Sequence, residues 1–133
     1  MAFYVDTSAI LKLVVRESGT VELRTWAEGR TIIASDLVRA EALRAARRHS
    51  PEALAQLRTV LTAIPTMAIT TSVCDRAAEL DPTILRTLDA MHLACALQLS
   101  DELEGVVTYD QRMADACVAL GLPVVSPGWA SRP

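Results

Sequence analysis

Short apolar runs rich in β-forming residues alternate along this chain with longer stretches whose apolar positions recur at helical spacing. The first run, residues 3–5, ends at Asp6, and Thr7 and Ser8 then favour the start of a helix. Gly19 opens a second helical stretch over residues 20–28, which Gly29 closes. Residues 31–34 predict a second strand, with Ser35 and Asp36 capping a helix from residue 37 to about 49. Ser50-Pro51 then starts another helix, in which Leu54, Leu57, Leu61 and Ile64 lie near helical spacing, and Pro65 stops it. Residues 67–69 predict a third strand, and Thr71 or Ser72 caps a helix to about residue 80, followed by an Asp81-Pro82 turn. Residues 88–99 are apolar almost all round, the mark of a buried helix. A fourth strand over 105–108, a helix over 111–120 ended by Gly121, and a last strand over 123–125 complete the pattern, and residues 126–133 read as an irregular tail. The expectation is a single α/β domain over residues 1–133, with a mainly parallel central sheet of about five short strands flanked by helices.

Composition agrees. With 133 residues, 51% hydrophobic and only 4% aromatic, there is room for one core, built from Ala, Leu, Val and Ile. No apolar run approaches the ~18–20 residues that span a bilayer, and an acid stands near the amino terminus where a signal peptide carries basic residues, so a cytoplasmic location is expected. Cys74, Cys95 and Cys117 are odd in number and lack close C-x-x-C spacing, which suits small buried thiols rather than a disulfide framework or a zinc site. The net charge of −3 argues against a nucleic-acid partner only if it is evenly spread. Were five of the 16 acids gathered at one metal site, the other 11 would face 13 basic residues and leave +2. Twelve of those 13 are Arg, whose planar fork suits phosphate.

The informative acids are those outside the ordinary solvated faces. Asp6 and Asp110 each end a strand and begin a helix, at the edge of a parallel sheet where ligands bind. Asp89 heads the most apolar helix, and Glu41 lies at the margin of an apolar face between Leu37 and Ala45. Each also has a purely structural explanation: helix capping for the aspartates, and ion pairs with Arg44 for Glu41 and with Arg112 for Asp115. Converging carboxylates repel and resist desolvation, and a hard divalent cation, Mg²⁺ or Mn²⁺, removes that conflict. His92, alone on an apolar helix, reads as a hydrogen-bonded core residue and is left out of the metal shell.

Val5-Asp6-Thr7-Ser8-Ala9, Glu41, Leu88-Asp89-Ala90-Met91-His92-Leu93-Ala94 and Val107-Thr108-Tyr109-Asp110 together resemble the four ordered motifs of PIN-domain nucleases, and in this small chain most nearly VapC-type toxins of bacterial toxin–antitoxin pairs. The resemblance runs from Phe3 to about Val125, with no diagnostic motif between residues 50 and 80. It implies catalytic and metal-site roles for Asp6, Glu41, Asp89 and Asp110, an additional metal-site acid in Asp115, and supporting hydroxyls in Thr7, Ser8 and Thr108. It also implies an RNA substrate, a VapB-type antitoxin partner and a homodimer. Lys12, Arg16, Arg39 and Arg112 are candidates for holding the RNA backbone.

Such a site would hydrolyse phosphodiesters with metal-activated water. Two alternatives stand beside it. A phosphotransfer or phosphatase domain also places Asp at strand ends. However, haloacid-dehalogenase phosphatases carry a second Asp where this chain has Ser8, and a receiver needs a late lysine where none follows Lys12. A non-catalytic α/β binding module would keep the acids only as caps.

Overall fold

The computed structural model describes residues 1–129. Strand β1 (Ala2–Val5) leads into α1 (Thr7–Val14) and α2 (Thr20–Ala27), then β2 (Ile32–Ser35), α3 (Asp36–His49), α4 (Pro51–Ala63) and β3 (Thr66–Met67). Helices α5 (Thr71–Glu79) and α6 (Thr87–Gln98) follow, then a 3-10 turn (Ser100–Glu102), β4 (Leu103–Val107), α7 (Gln111–Ala119) and β5 (Val124–Val125). The five strands form one sheet in the order β3-β2-β1-β4-β5, and every pairing is parallel.

The period-2 alternation of the strands divides the core. Val5 and Val107 face a cluster made with Ala9, Ile10, Val38, Ala42, Ala46 and Leu57, so α1 to α4 cover one side. Tyr4 and Val106 face Val73, Leu93, Ala94, Met113 and Cys117, so α5 to α7 cover the other. Fully buried Ala42, Ala46, Ala94 and Ala96 add little bulk where the helices pack, as the low aromatic content implied.

Strand β1 is central, and the chain builds β2 and β3 on one side of it before crossing to β4 and β5 on the other. The order therefore reverses beside β1, and the crevice at the carboxyl ends of β1 and β4 is the topological switch point. Register aligns Val5 with Val107, and the Asp6 amide donates to the Val107 carbonyl at 3.2 Å. Asp6 thus abuts Thr108 across the strand ends.

Two expectations are revised, and the irregular tail is irregular over residues 126–129. The third strand covers Thr66–Met67 rather than 67–69, because the pairing to β2 begins at the residue after Pro65, whose carbonyl accepts from the Ala34 amide. Cys74 is exposed on α5, whereas Cys95 and Cys117 are buried as expected. In the tail, Tyr109 donates its hydroxyl to the Pro127 carbonyl at 2.7 Å, which ties residues 126–129 to the body; the remainder of the tail expectation falls outside the described residues.

Candidate functional site

Asp6 is 3% exposed and has two jobs. Its Oδ1 caps α1 by accepting from the Ala9 amide at 3.1 Å, and accepts again from the Ser8 hydroxyl at 2.6 Å; Oδ2 accepts from the Thr108 hydroxyl. Every donor is neutral, and among the described residues no cation pairs with this carboxylate. Burial raises its pKa, and the Ser8, Thr108 and Ala9 hydrogen bonds oppose that rise. The Ser8 hydroxyl also accepts from the Tyr109 amide, and Thr108 Oγ1 from the Asp110 amide, so the two hydroxyls lock the β1 and β4 exits together.

Glu41 does not pair with Arg44. Its Oε1 accepts from the Thr7 hydroxyl at 2.8 Å and from His92 Nε2 at 2.7 Å. Because a carboxylate only accepts, the Nε2 proton lies toward Glu41. His92 Nδ1 then faces the Tyr4 hydroxyl at 2.6 Å, and Tyr4 reaches Ser35 at 2.9 Å. This chain of contacts runs from α6 over β1 to the end of β2, and His92 is 3% exposed within it. The His92 hydrogen bond is the main reason that the Glu41 pKa lies below the ordinary glutamate value, with Thr7 adding to it and burial opposing. His92 is the hydrogen-bonded core residue expected, and it is also the brace of Glu41.

Asp89 lies in the first turn of α6 and does not cap it; Arg86 occupies the cap position. The Arg86 guanidinium, on a side chain 58% exposed, donates from Nε to Asp89 Oδ2 at 3.1 Å and stands 3.8 Å from Asp110 Oδ2 through Nη2. Asp110 meanwhile caps α7 through Oδ1, which accepts from the Arg112 and Met113 amides. Asp115 is exposed and accepts from Gln111 rather than pairing with Arg112. A hollow of about 380 Å³ opens beside these groups, lined by Arg86, Asp89, Arg112 and Asp115 on a floor that includes Pro82, Leu85 and Ala116.

Lys12 is a correction. Its ammonium is tied to Glu17 at 3.0 Å and to the Ser18 carbonyl at 2.8 Å, and lies over the Tyr109 ring, so it holds the α1–α2 connection and is not free for RNA. Arg16 and Arg39 are exposed and touch none of the carboxylates, leaving Arg112 as the one candidate beside the acids.

The PIN domain family model matches residues 3–119. The chain belongs to the PIN-domain family. Within it, this PIN domain is 38% identical over 131 residues to Ribonuclease VapC47 of Mycobacterium tuberculosis strain CDC 1551 / Oshkosh, covering 94% of this chain and 96% of the relative. It is 41% identical over 127 residues to Ribonuclease VapC46 of M. tuberculosis strain H37Rv, covering 95% and 98%. Its fold matches that of VapC20 of M. tuberculosis, described as a Sarcin-Ricin loop cleaving toxin, with a TM-score of 0.73 at 19% identity, covering 94% of this chain and 99% of the other. A chain of a toxin–antitoxin complex from Klebsiella pneumoniae matches at a TM-score of 0.69 and 22% identity, covering 94% and 97%.

In this PIN domain the four motif acids stand at one sheet edge, where Asp6, Asp110 and Asp89 are joined through shared partners and Glu41 is held by Thr7, the residue after Asp6. Thr7 on α1 reaches Glu41, Ser8 and Thr108 hold Asp6, and Arg86 spans Asp89 and Asp110. Among the described residues, no three of the His, Cys, Asp and Glu side chains are drawn close enough to make a finished metal cage. The donor chemistry nevertheless suits a hard cation: all the acids offer oxygen, Asp6 is buried without a counter-charge, and Glu41 Oε2 and Asp89 Oδ1 accept no hydrogen bond from the described residues. Arg86 was not singled out from sequence, although its position three residues before Asp89 on a helix is a legible ion-pair spacing. Tyr4 and His92, 88 residues apart, leave no such local signal.

Two expectations follow from this geometry. Because the Asp6 pKa is raised, the folded state holds the Asp6 proton more tightly than the unfolded chain does. Its contribution to stability is therefore lost as pH rises above the unfolded value of about 3.9. Asp6→Asn keeps a capping oxygen without that charge. In EDTA it is expected to melt above the parent near neutral pH, by roughly 4 °C for each kcal/mol regained, with the gap shrinking toward about pH 4. A gap of the opposite sign at neutral pH would contradict this account.

The His92 brace is tested by comparing His92→Leu with His92→Gln. Leucine removes the partner of both Glu41 and Tyr4 and is expected to cost about 1–3 kcal/mol in urea unfolding, whereas glutamine, which retains a donor, should cost less. The depressed Glu41 pKa contributes stability that is present above the unfolded value of about 4.3 and lost as pH falls through the lower folded value. That part of the acid-side slope should flatten in His92→Leu, and equal behaviour of the two variants would exclude the brace.

Proposed function

We propose that this PIN domain is a Mg²⁺- or Mn²⁺-dependent endoribonuclease, the toxin of a VapBC-type toxin–antitoxin pair, acting in the cytoplasm as a homodimer. The observation that carries this reading is the buried Asp6 carboxylate, held by neutral donors alone beside Glu41, Asp89 and Asp110, in a chain similar to proteins named ribonucleases over most of its length.

Asp6, Asp89 and Asp110 would hold the ion, with Asp115 at the margin of the site. Bound there, a divalent cation supplies a water of lowered pKa and a positive charge toward the phosphate oxygens. The protein's own groups do the positioning. Ser8 and Thr108 fix both oxygens of Asp6, so that carboxylate cannot rotate away. Glu41, kept ionised by His92 and Thr7, has an oxygen left to accept a hydrogen bond from an attacking water. Arg86 is half-exposed and bonds Asp89 with only its Nε, so its fork can turn to a phosphate when a cation takes the carboxylates. Arg112, across the hollow from it, is placed to meet the same strand.

The histidines support hydrolysis over attack by the RNA's own 2′-hydroxyl. The chain has only His49, exposed at the end of α3, and His92, buried against Glu41, and no pair of histidines can serve as acid and base on one ribose. The Arg86 contact also suggests how an antitoxin acts. A basic side chain among Asp6, Asp89 and Asp110 neutralises them as Arg86 now neutralises two of them, and would compete with a metal ion. A complex that leaves these acids accessible and still able to bind Mn²⁺ would count against that mode of inhibition.

The chemistry is tested with an RNA carrying a single 2′-deoxy substitution at the scissile position. Cleavage is expected to persist on this substrate, to stop in EDTA, and to leave a 5′-phosphate and a 3′-hydroxyl. Cyclic phosphate ends, or activity that survives EDTA, would rule out metal hydrolysis. A non-catalytic binding module is separated by Mn²⁺ titration, in which Asp89→Asn should lose affinity at least tenfold, equivalent to about 1.4 kcal/mol; equal binding by parent and variant would favour the binding module.

A further inference from the structure

Arg44, Arg47 and Arg48 are exposed on α3 and together line a hollow of about 280 Å³. Four cations elsewhere in the fold have a structural task. Lys12 holds Glu17, Arg24 donates to the Leu13 carbonyl, Arg30 lies over Trp26, and Arg86 spans two acids. The three α3 arginines make no ion pair or hydrogen bond with any described residue. Their spacings, three and four residues from Arg44, put like charges side by side, which weakens a helix. The helix C-terminus favours positive charge and accounts for the sign of Arg47 and Arg48, both in the last turn. It does not account for Arg44 joining them around a shared hollow.

The same helix carries Glu41. At a rise of 1.5 Å per residue, Arg44 and Arg48 stand about 4.5 and about 10.5 Å farther along the axis, within about 60° of Glu41 around it. We propose that Arg44, Arg47 and Arg48 form a phosphate-binding platform for single-stranded RNA, taking the backbone as it leaves the carboxylates. Guanidinium forks suit phosphate oxygens and read no sequence there. The platform rests on the ribonuclease reading above, because RNA is the strand it would carry, but it is tested by binding and not by cleavage.

The experiment measures fluorescence anisotropy of a fluorescein-labelled single-stranded RNA with the full chain in EDTA, across about 50–300 mM KCl. Each phosphate contact on a single strand contributes about 0.7 to the slope of log K against log salt. Arg44→Gln/Arg47→Gln/Arg48→Gln is therefore expected to reduce the slope by about 2, while the corresponding triple Lys variant retains most of it. Mn²⁺ binding at the acids should be the same in both. An unchanged slope in the Gln variant overturns the platform. If the Gln variant instead loses salt-dependent binding only to poly-glutamate, the arginines serve an acidic protein segment and the proposal fails. Loss of Mn²⁺-dependent RNA cleavage by the parent would sink the ribonuclease reading without altering the slope, so the two failures are distinguishable.

Discussion

A carboxylate buried at the reversal of strand order, with hydrogen bonds but no counter-charge, sets the terms for the rest of this structure. Asp6 is at once the last residue of β1's path, the cap of α1 and the deepest acid of the cluster. Burying a charge is unfavourable unless it is paired or solvated by donors. Here the donors come from its own helix start and from Thr108 across the β1–β4 junction. The hydroxyls that make Asp6 tolerable also fix the approach of Asp110, through the Asp110 amide on Thr108. Local folding and site assembly are therefore one event: the sheet cannot pair Val5 with Val107 without bringing these groups together.

The same requirement explains why the acids have two kinds of support. Glu41 is held from inside, by a histidine anchored through Tyr4 to Ser35 at the end of β2, and it stays ionised because that donor favours the charged form. Asp89 and Asp110 are held from outside by Arg86, a mobile-length side chain at the surface. Internal supports hold a group in one orientation, and an external cation would let the proposed site exchange one positive partner for another. The division follows from burial, since a side chain reaching in from solvent can leave, whereas His92 cannot.

Much of this was legible in the sequence because it is local. The strand-to-helix steps at Asp6 and Asp110, the capping hydroxyls and the all-apolar α6 are patterns within a few residues, and they located the sheet edge and its acids. The PIN-family resemblance joined four such patterns into one site. What stayed hidden depends on distant side chains. Lys12 beside the first motif looked available for RNA, yet the turn after α1 folds Glu17 and Ser18 back onto it. Glu41 looked like the partner of Arg44 because they are three residues apart, but α3 turns Glu41 toward Thr7 and His92. Two-residue β3 began earlier than its apolar residues suggested, because pairing to β2 and not composition sets its start.

The release of Arg44 from Glu41 has a consequence for charge along α3. Near its middle the helix presents an acid engaged inward, and toward its C-terminal end it presents three arginines without carboxylates of their own. A formal charge of −3 therefore describes the molecule poorly. Asp6, Glu41, Asp89 and Asp110 gather at the sheet edge and are partly drawn into the fold, and three arginines stand exposed farther along α3. A polyanion approaching the acidic edge would be repelled by the acids alone. On the reading proposed above, cations at Arg86 and Arg112 beside the edge, and an arginine face on α3, would give such a strand somewhere to bind while a phosphate meets the carboxylates, so the helix that orients Glu41 would also govern approach to it.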